Sequence, residues 1–277
     1  MSVKIIQSNE ISYTAQDFKP LNSQVIDIIP TYFKTSDFAL YNADSLEVMK
    51  RLPENSVDLI FADPPYFLST NITDLSYKGD WDISKGVQRD VKFHFDWIKE
   101  ARRILKPEGT IWISGTHHSI YQCGYCLQML DFKILNDIAW FKPKKDPFSR
   151  NFFNFSHETI IWAKKDKDAK HYLNPKVLDI QYRDKLNKEG KQMGDVWDIL
   201  PCSKKEIDWH PTPKPLKLLK RIILASTQPG AIVLDPFNGS GTTGIAVKEL
   251  GFDRKYIGID LSSVYLDKTI NRLQNLK

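Results

Sequence analysis

The fold is decided by the stretch Ala231-Ile232-Val233-Leu234-Asp235-Pro236-Phe237-Asn238-Gly239-Ser240-Gly241-Thr242-Thr243, where an apolar run passes into a glycine-rich turn. A second stretch, Val57-Asp58-Leu59-Ile60-Phe61-Ala62-Asp63-Pro64-Pro65-Tyr66, likewise joins an apolar run to a turn. Apolar runs of this length, closed by turn residues, predict buried strands of a parallel sheet. Ligands of open α/β sheets bind at the carboxyl ends of the strands, so we expect both turns at one edge of a single sheet.

The glycine-rich turn favours one class of ligand. Gly239 and Gly241 allow the backbone to pass close to a bound molecule where a strand is followed by a helix. A P-loop does not fit, because no lysine follows Gly241 to neutralise a triphosphate. Gly239, Gly241 and Gly244 match a dinucleotide fingerprint, but Asp235 at the strand end would repel a pyrophosphate. Asp235 instead suits a ligand with an ammonium group, such as S-adenosylmethionine (SAM), which also carries a sulfonium.

Another acid follows the next predicted strand, Lys255-Tyr256-Ile257-Gly258-Ile259. Asp260, at the end of that strand, can accept hydrogen bonds from both ribose hydroxyls of an adenosine. Helix N-capping is the alternative explanation for Asp235 and Asp260, since aspartate is a preferred N-cap residue. The strand–loop–helix context favours the ligand.

The turn Asp63-Pro64-Pro65-Tyr66 offers two hydrogen-bond acceptors and one flat ring. Asp63 provides a carboxylate, and Pro64 has no N–H, so its carbonyl is a pure acceptor in a turn that Pro65 stiffens further. Tyr66 offers a face on which a base can stack. This combination suits an exocyclic amino group, which has two hydrogens to donate. A rigid turn with a packed tyrosine is the alternative.

These segments together resemble the amino-methyltransferases of DNA, which methylate adenine at N6 or cytosine at N4. Asp63-Pro64-Pro65-Tyr66 resembles their catalytic motif, Asp235 to Thr243 their SAM motif, and His210-Pro211-Thr212-Pro213-Lys214-Pro215 the segment just before the SAM motif. The order, with the catalytic motif first, is similar to the circularly permuted beta class. The resemblance runs from about Phe38 to Leu273. It implies an α/β, Rossmann-like, doubly wound and mostly parallel sheet with a target-recognition insertion.

The resemblance also implies roles for individual residues. Asp63 and Tyr66 would hold and stack the target base, next to Pro64 and Pro65. Asp44 would contact the adenine of SAM. The other cofactor contacts implied are Asp63, Thr212 and Lys214, the latter two near the methionine end, with Asp235, Pro236, Phe237, Gly239, Ser240, Gly241, Thr242, Thr243 and Asp260.

Asp rather than Ser at the head of the catalytic motif is similar to the adenine-N6 members of the family. Three segments resemble methyltransferases of restriction-modification systems that act on GATC: Phe67-Leu68-Ser69, Lys78-Gly79-Asp80-Trp81-Asp82 and Gly190-Lys191-Gln192-Met193-Gly194-Asp195-Val196-Trp197. The implied function is site-specific methylation of adenine in DNA. The alternatives are cytosine-N4 methylation, an RNA or a glutamine amide as substrate, and a non-enzymatic nucleic-acid-binding module on a degenerate methyltransferase fold.

Positive charge is concentrated in the middle of the chain, whose net charge is +5. Between Lys142 and Arg221 lie 19 of the 39 basic and 11 of the 34 acidic residues, a balance of +8, which leaves −3 for the remainder. This indicates a face that meets DNA phosphates, in duplex or single-stranded form, although a solvated lysine surface is the alternative. The family resemblance adds a homodimer and a cognate restriction endonuclease as expected partners.

Neither a membrane span nor a metal site is expected. No apolar stretch reaches the ~18 residues that a span needs, and the N-terminal sequence lacks the apolar core of a signal peptide. The three cysteines, an odd number, fit a reducing cytoplasm. Cys123 and Cys126 are predicted to be buried in a helix over 118–130, because their surroundings match no zinc-ligand spacing.

Four segments are predicted along the 277 residues. Residues 1–36 form an irregular N-terminal arm, 37–165 the catalytic half of the methyltransferase domain, 166–208 the target-recognition region and 209–277 the SAM-binding half. Within the catalytic half, a mobile loop is expected over residues 67–92, since glycines and polar residues show no period there.

Overall fold

The computed structural model describes residues 29–69, 80–142, 151, 153–174, 184–186, 188, 193–202 and 210–276. In these residues nine strands form one sheet, in the spatial order β1-β2-β9-β8-β3-β4-β6-β5-β7. Their bounds are Phe33–Lys34 (β1), Phe38–Asn42 (β2), Val57–Ala62 (β3), Leu105–Gly115 (β4), Lys133–Phe141 (β5), His157–Lys164 (β6), Val196–Asp198 (β7), Ile232–Asp235 (β8) and Lys255–Asp260 (β9).

Six α-helices lie among the described residues and cover both faces of the sheet. Their bounds are Ser45–Met49 (α1), Val87–Ile104 (α2), Ile120–Met129 (α3), Leu216–Ser226 (α4), Thr242–Leu250 (α5) and Ser263–Gln274 (α6). Met49, Trp97 and Cys123 pack with one face of the sheet, which places α1, α2 and α3 there. Leu219 and Ile245 belong to the second core, on the side of α4, α5 and α6. The sheet is therefore doubly wound, as predicted.

Five of the eight neighbouring strand pairs are parallel, namely β2 with β9, β9 with β8, β8 with β3, β3 with β4 and β5 with β7. The antiparallel hairpin of β5 and β6 joins β4 on one side, and β1 lies antiparallel at the far edge. The mostly parallel sheet predicted from the apolar runs is confirmed.

The strands that carry the two motifs are neighbours. Leu59 of β3 is paired with Val233 of β8, in parallel orientation. The chain continues from β3 to β4 on one side and from β8 to β9 on the other. This reversal is a topological switch point, where open α/β sheets leave a crevice at the carboxyl ends of the strands. Both motifs follow directly from strands that end at this crevice.

The N-terminal arm is less irregular than predicted. Phe33 and Lys34 form β1 and pair with Leu40 and Ala39 of β2. Ile29, before this strand, packs against the core. Two residues are too few for an alternating pattern to show in the sequence.

The loop predicted over residues 67–92 is also shorter. Asp80–Asp82 forms a 3-10 turn, and α2 begins at Val87, whereas residues 70–79 lie outside the described part of the chain. The first turn of α2 was missed because its residues are mostly exposed and polar. Its buried Asp90 accepts hydrogen bonds from the Ser84 hydroxyl and the Lys85 amide, which fixes the helix start.

The predicted target-recognition region contributes to the sheet. Val196–Asp198 forms β7, which pairs in parallel with β5. The region is also tied to α4 by an ion pair between Arg221 and Asp184, at 2.8 Å, with both side chains at most 1% exposed. The Arg221 guanidinium lies 4.7 Å from the ring centre of Trp197. Within the described ranges, none of the helices has the length and apolarity that crossing a bilayer requires.

The two cysteines at 123 and 126 lie buried on α3, as predicted. Burial raises the pKa of Cys126 to about 11 and that of Cys123 well above its usual value. Both thiols are therefore protonated at neutral pH and act as small apolar side chains.

Candidate active site

A cavity of about 620 Å³ opens at the switch point between β3 and β8. Fifteen of the residues proposed from the sequence line it: Asp44, Asp63, Pro64, Pro65, Tyr66, Thr212, Lys214, Asp235, Pro236, Phe237, Gly239, Ser240, Thr242, Thr243 and Asp260. Gly241, also proposed from the sequence, is not one of the residues that line the cavity. The structure thus brings both motifs and the 210–215 segment to a single cavity.

The carboxylate of Asp63 is held by three donors. Its Oδ1 accepts hydrogen bonds from the Tyr66 hydroxyl at 2.6 Å and from the Ser114 hydroxyl at 2.5 Å. Its Oδ2 accepts from Lys214 Nζ, in an ion pair that is mostly buried. Ser114 was not predicted from the sequence. It arrives through the strand register, since Ala62 is paired with Ile113 and the next residues face each other.

The Asp63 carboxylate affects the pKa values of both Tyr66 and Lys214. Burial, followed by the Asp63 charge, raises the pKa of Tyr66 well above its usual value, so the phenol stays protonated and donates. Burial alone would lower the pKa of Lys214, but the Asp63 and Glu158 carboxylates outweigh it and raise the pKa. Tyr66 is 8% exposed, and Lys214 Nζ lies 5.4 Å from its ring centre. The open stacking face expected at Tyr66 is therefore covered in this state.

Asp82 fixes the turn that follows Asp63-Pro64-Pro65-Tyr66, and its role was not predicted from the sequence. One of its oxygens accepts hydrogen bonds from the backbone N–H groups of Tyr66 and Phe67, at 2.8 and 2.7 Å. Phe67 adopts a positive φ of 55°, which costs free energy for a residue with a side chain. The two hydrogen bonds to a buried carboxylate hold the turn in this conformation.

The glycine-rich turn needs its glycines for conformation and for space. Gly241 has φ of +71°, and a Cβ there would lie 2.4 Å from Thr269. Gly239 has φ of +48°, and a Cβ there would lie 2.8 Å from the His210 ring. Burial lowers the pKa of His210 to about 4, so this ring is neutral. The turn is therefore pressed against both α6 and the 210–215 segment.

Asp235 is fully enclosed at the end of β8. It accepts hydrogen bonds from the Phe237 amide at 3.0 Å and the Thr243 hydroxyl at 2.6 Å. Burial raises its pKa to about 7, and these hydrogen bonds only partly oppose the rise. A buried acid with this pKa favours a positively charged partner, because such a partner would restore its ionised form.

The N-capping alternative applies to neither Asp235 nor Asp260. The N-cap of α5 is Gly241, and the N-cap of α6 is Ser262. Asp260 instead accepts hydrogen bonds from the amides of Gly239 and Ser262, at 2.7 and 2.8 Å. Burial raises its pKa as well. Asp44, by contrast, does cap a helix, since it accepts from the first amides of α1.

Aromatic side chains of α2 pack against Phe67 and Phe237, one next to each motif. Phe237, from the glycine-rich stretch, packs edge-on against Trp97 of α2, with ring centres 5.5 Å apart. Phe93 of the same helix lies 6.2 Å from Phe237 and 5.7 Å from Phe67. The helix that begins earlier than predicted thus supports both sides of the cavity.

Comparison with known proteins agrees with this geometry. A sequence family described as DNA methylase, covering N6 and N4 methyltransferases, matches residues 57–272. The chain is 43% identical to the Type II methyltransferase M2.MboI of Moraxella bovis over 260 residues, 90% of this chain and 92% of that one. It is 44% identical to the Type II methyltransferase M2.DpnII of Streptococcus pneumoniae over 255 residues, 88% and 92% of the two chains.

Solved structures give the same result. The M1.HpyAVI–SAM complex matches with a TM-score of 0.59 and 29% identity, over 85% of this chain and 99% of that chain. The cytosine-N4-specific PvuII DNA methyltransferase matches with a TM-score of 0.70 and 22% identity, over 89% and 90% of the two chains. The second likeness concerns the fold alone.

The fold is that of the SAM-dependent methyltransferases that modify amino groups. The chain belongs to the N6/N4 DNA methylase family. It is an enzyme whose substrate is DNA and whose methyl donor is SAM.

The steric demand at Gly241 is testable by stability. Gly241→Ala should lower the free energy of unfolding by more than backbone strain alone. Gly241 has φ of 71° and ψ of 14°, where a side chain costs roughly 1–2 kcal/mol, and an added Cβ would also lie 2.4 Å from Thr269. Calorimetric unfolding measures the loss, and a loss no larger than the backbone strain would show that Thr269 moves aside at no cost.

Proposed function

We propose that this protein methylates the N6 amino group of adenine in DNA, at the site formed by Asp63 and Tyr66. The observation that supports this most is the shared cavity. An acceptor for an amino group and the buried acids suited to SAM line the same space of about 620 Å³. Asp at the head of the catalytic motif favours adenine over cytosine, by resemblance to the adenine-N6 members of the family.

The residues of the SAM side fit the cofactor. Gly239 lines the cavity and carries no side chain, so a ligand can approach its backbone closely. Asp235 would bind the ammonium group, Asp260 the ribose hydroxyls, and Asp44 the adenine edge. Thr212 and Lys214 would lie near the methionine carboxylate. Bound SAM supplies an electrophilic methyl group, held on a sulfonium that leaves as a neutral thioether.

The catalytic side would act by positioning and by fixed negative charge. The target adenine must leave the duplex, because its amino group is not accessible inside the stack. Tyr66 would stack on the base, a contact worth about 1–3 kcal/mol. Asp63 and the Pro64 carbonyl would accept hydrogen bonds from the amino group and draw its lone pair out of conjugation. Asp63 would also stabilise the positive charge that develops on this nitrogen. The methylated nitrogen would then pass one of its two protons to water as the neutral product forms.

The biological setting is part of the proposal. We propose recognition of GATC within a restriction-modification system, with a cognate endonuclease, in the cytoplasm where the DNA lies. Two of the three segments that carry the GATC resemblance extend into residues 78–79 and 190–192, which lie outside the described residues. Residues 166–208 would be the target-recognition region between the catalytic half, 37–165, and the SAM-binding half, 209–277. Pairing of two copies is proposed on the family resemblance.

The role of Asp63 predicts a loss of chemistry without a loss of cofactor. Asp63→Ala should reduce methyl transfer at least about 100-fold, because the acceptor for the amino group is removed. Binding of S-adenosylhomocysteine, measured by calorimetry, should persist. Asp63→Asn keeps one acceptor and should lose less. Asp137→Asn, at an exposed position on β5, is the matched control and should retain full activity. Wild-type turnover by Asp63→Ala would refute the assignment.

The role of Asp235 predicts a pH dependence. Its pKa of about 7 means that at pH 6 an incoming ammonium must first displace a proton. Affinity for S-adenosylhomocysteine should therefore fall about tenfold from pH 8 to pH 6, with proton release near pH 7. Calorimetry in buffers of different ionisation enthalpy measures both. Asp235→Asn should bind S-adenosylhomocysteine weakly, and its affinity should no longer change between pH 8 and pH 6. A pH dependence that persists in this variant would contradict the role of Asp235.

The target base can be identified directly. DNA from cells that express this chain alone, digested to nucleosides, should contain N6-methyldeoxyadenosine by mass spectrometry. Modified-base sequencing of the same DNA gives the recognition sequence. N4-methyldeoxycytidine in its place would establish the alternative substrate. DNA from cells that express Asp63→Ala is the control and should contain neither.

A further inference from the structure

We propose that Lys214 is a positioning residue that occupies the target-amine position on Asp63 until the carboxylate of the cofactor draws it away. This inference rests on the proposed function and concerns the order in which the site becomes available. It makes SAM binding a precondition for holding the flipped base.

The first step is the set of acceptors on Asp63. Oδ1 already accepts from the hydroxyls of Tyr66 and Ser114. Oδ2 accepts from Lys214 Nζ. An amino group that is to be held by this carboxylate must therefore take Oδ2, where it either shares the oxygen with the Lys214 ammonium or takes the place of that ammonium.

The second step concerns the ring of Tyr66. Lys214 Nζ lies 5.4 Å from the ring centre, and Tyr66 is 8% exposed. A base that stacks on this ring needs the space that Lys214 now fills. Withdrawal of one side chain would thus free both the hydrogen-bond acceptor and the stacking face.

The third step is electrostatic. The target nitrogen becomes positively charged as the methyl group is transferred. A lysine ammonium retained on the same carboxylate would oppose that charge in a site shielded from water, where charges interact strongly. Lys214 is 7% exposed, so water screens it little. Catalysis therefore requires the ammonium to be elsewhere.

The last step is where the ammonium goes. Lys214, Asp63 and Asp235 line the same cavity, and both carboxylates raise the pKa of Lys214. If Asp235 binds the ammonium of the cofactor, the cofactor carboxylate is attached to the same carbon atom and lies within the same part of the cavity. Transfer of Lys214 from Asp63 to that carboxylate exchanges one buried ion pair for another, which avoids leaving a buried charge unpaired.

The test uses a duplex in which 2-aminopurine replaces the adenine that the wild-type enzyme methylates, because its fluorescence rises when the base leaves the stack. Wild-type enzyme with S-adenosylhomocysteine should flip this base out of the duplex. With no cofactor, the rise in fluorescence should be several-fold smaller. The rise should also be several-fold smaller with 5′-methylthioadenosine, which lacks the amino-acid part. Equal fluorescence in all three conditions would overturn the proposal, and this arm needs no variant.

Variants sharpen the result. Lys214→Met should flip the base without any cofactor, and should lose at least tenfold in affinity for S-adenosylhomocysteine but not for 5′-methylthioadenosine. Lys217→Met, at an exposed position on α4, is the matched control and should behave as wild type. Cofactor-dependent flipping that persists in Lys214→Met would overturn the exchange. Wild-type enzyme that methylates no DNA would instead refute the proposed function, so the two failures are distinguishable.

Discussion

The parallel pairing of β3 with β8 is the constraint on which the site depends. It joins two strands that are about 170 residues apart in the sequence and aligns Leu59 with Val233. Because parallel strands end at the same edge, Asp63 and the buried Asp235 of the glycine-rich stretch line one cavity. Chain order is irrelevant to this arrangement, which is why a permuted chain can build the same site.

The second feature on which the site depends is the burial of its charged groups. Asp63, Lys214 and Asp235 are mostly buried, and the carboxylates of Asp63 and Asp235 raise the pKa of Lys214. Ser114 and Asp82 hold the surrounding groups in place from neighbouring elements. The polar groups are oriented before a ligand arrives, so less reorganisation is required during the reaction.

The motifs and their strands could be predicted from the sequence because they are local patterns. Val57–Ala62 and Ile232–Asp235 follow the apolar runs almost residue for residue. Ser114 and Asp82 could not be predicted, since their roles come from strand register and from a turn 15 residues away. The start of α2 and the strand β7 were missed because exposed polar residues hide the helical period and three residues are too few for a strand pattern. Lys214, which is distant in the sequence, covers the ring of Tyr66, so no pattern in the sequence around Tyr66 predicts this contact.

The buried pair of Arg221 and Asp184 affects how such enzymes can be given new specificities. Asp184 belongs to the segment between the hairpin and α4, whereas Arg221 belongs to the helix that supports the cofactor side. Exchanging that segment with one that lacks the acid removes Asp184 from a buried ion pair, and the loss of one partner of such a pair costs about 3–5 kcal/mol. Chimeras therefore need an acid at this position, or an apolar residue at 221, before any question of sequence preference arises.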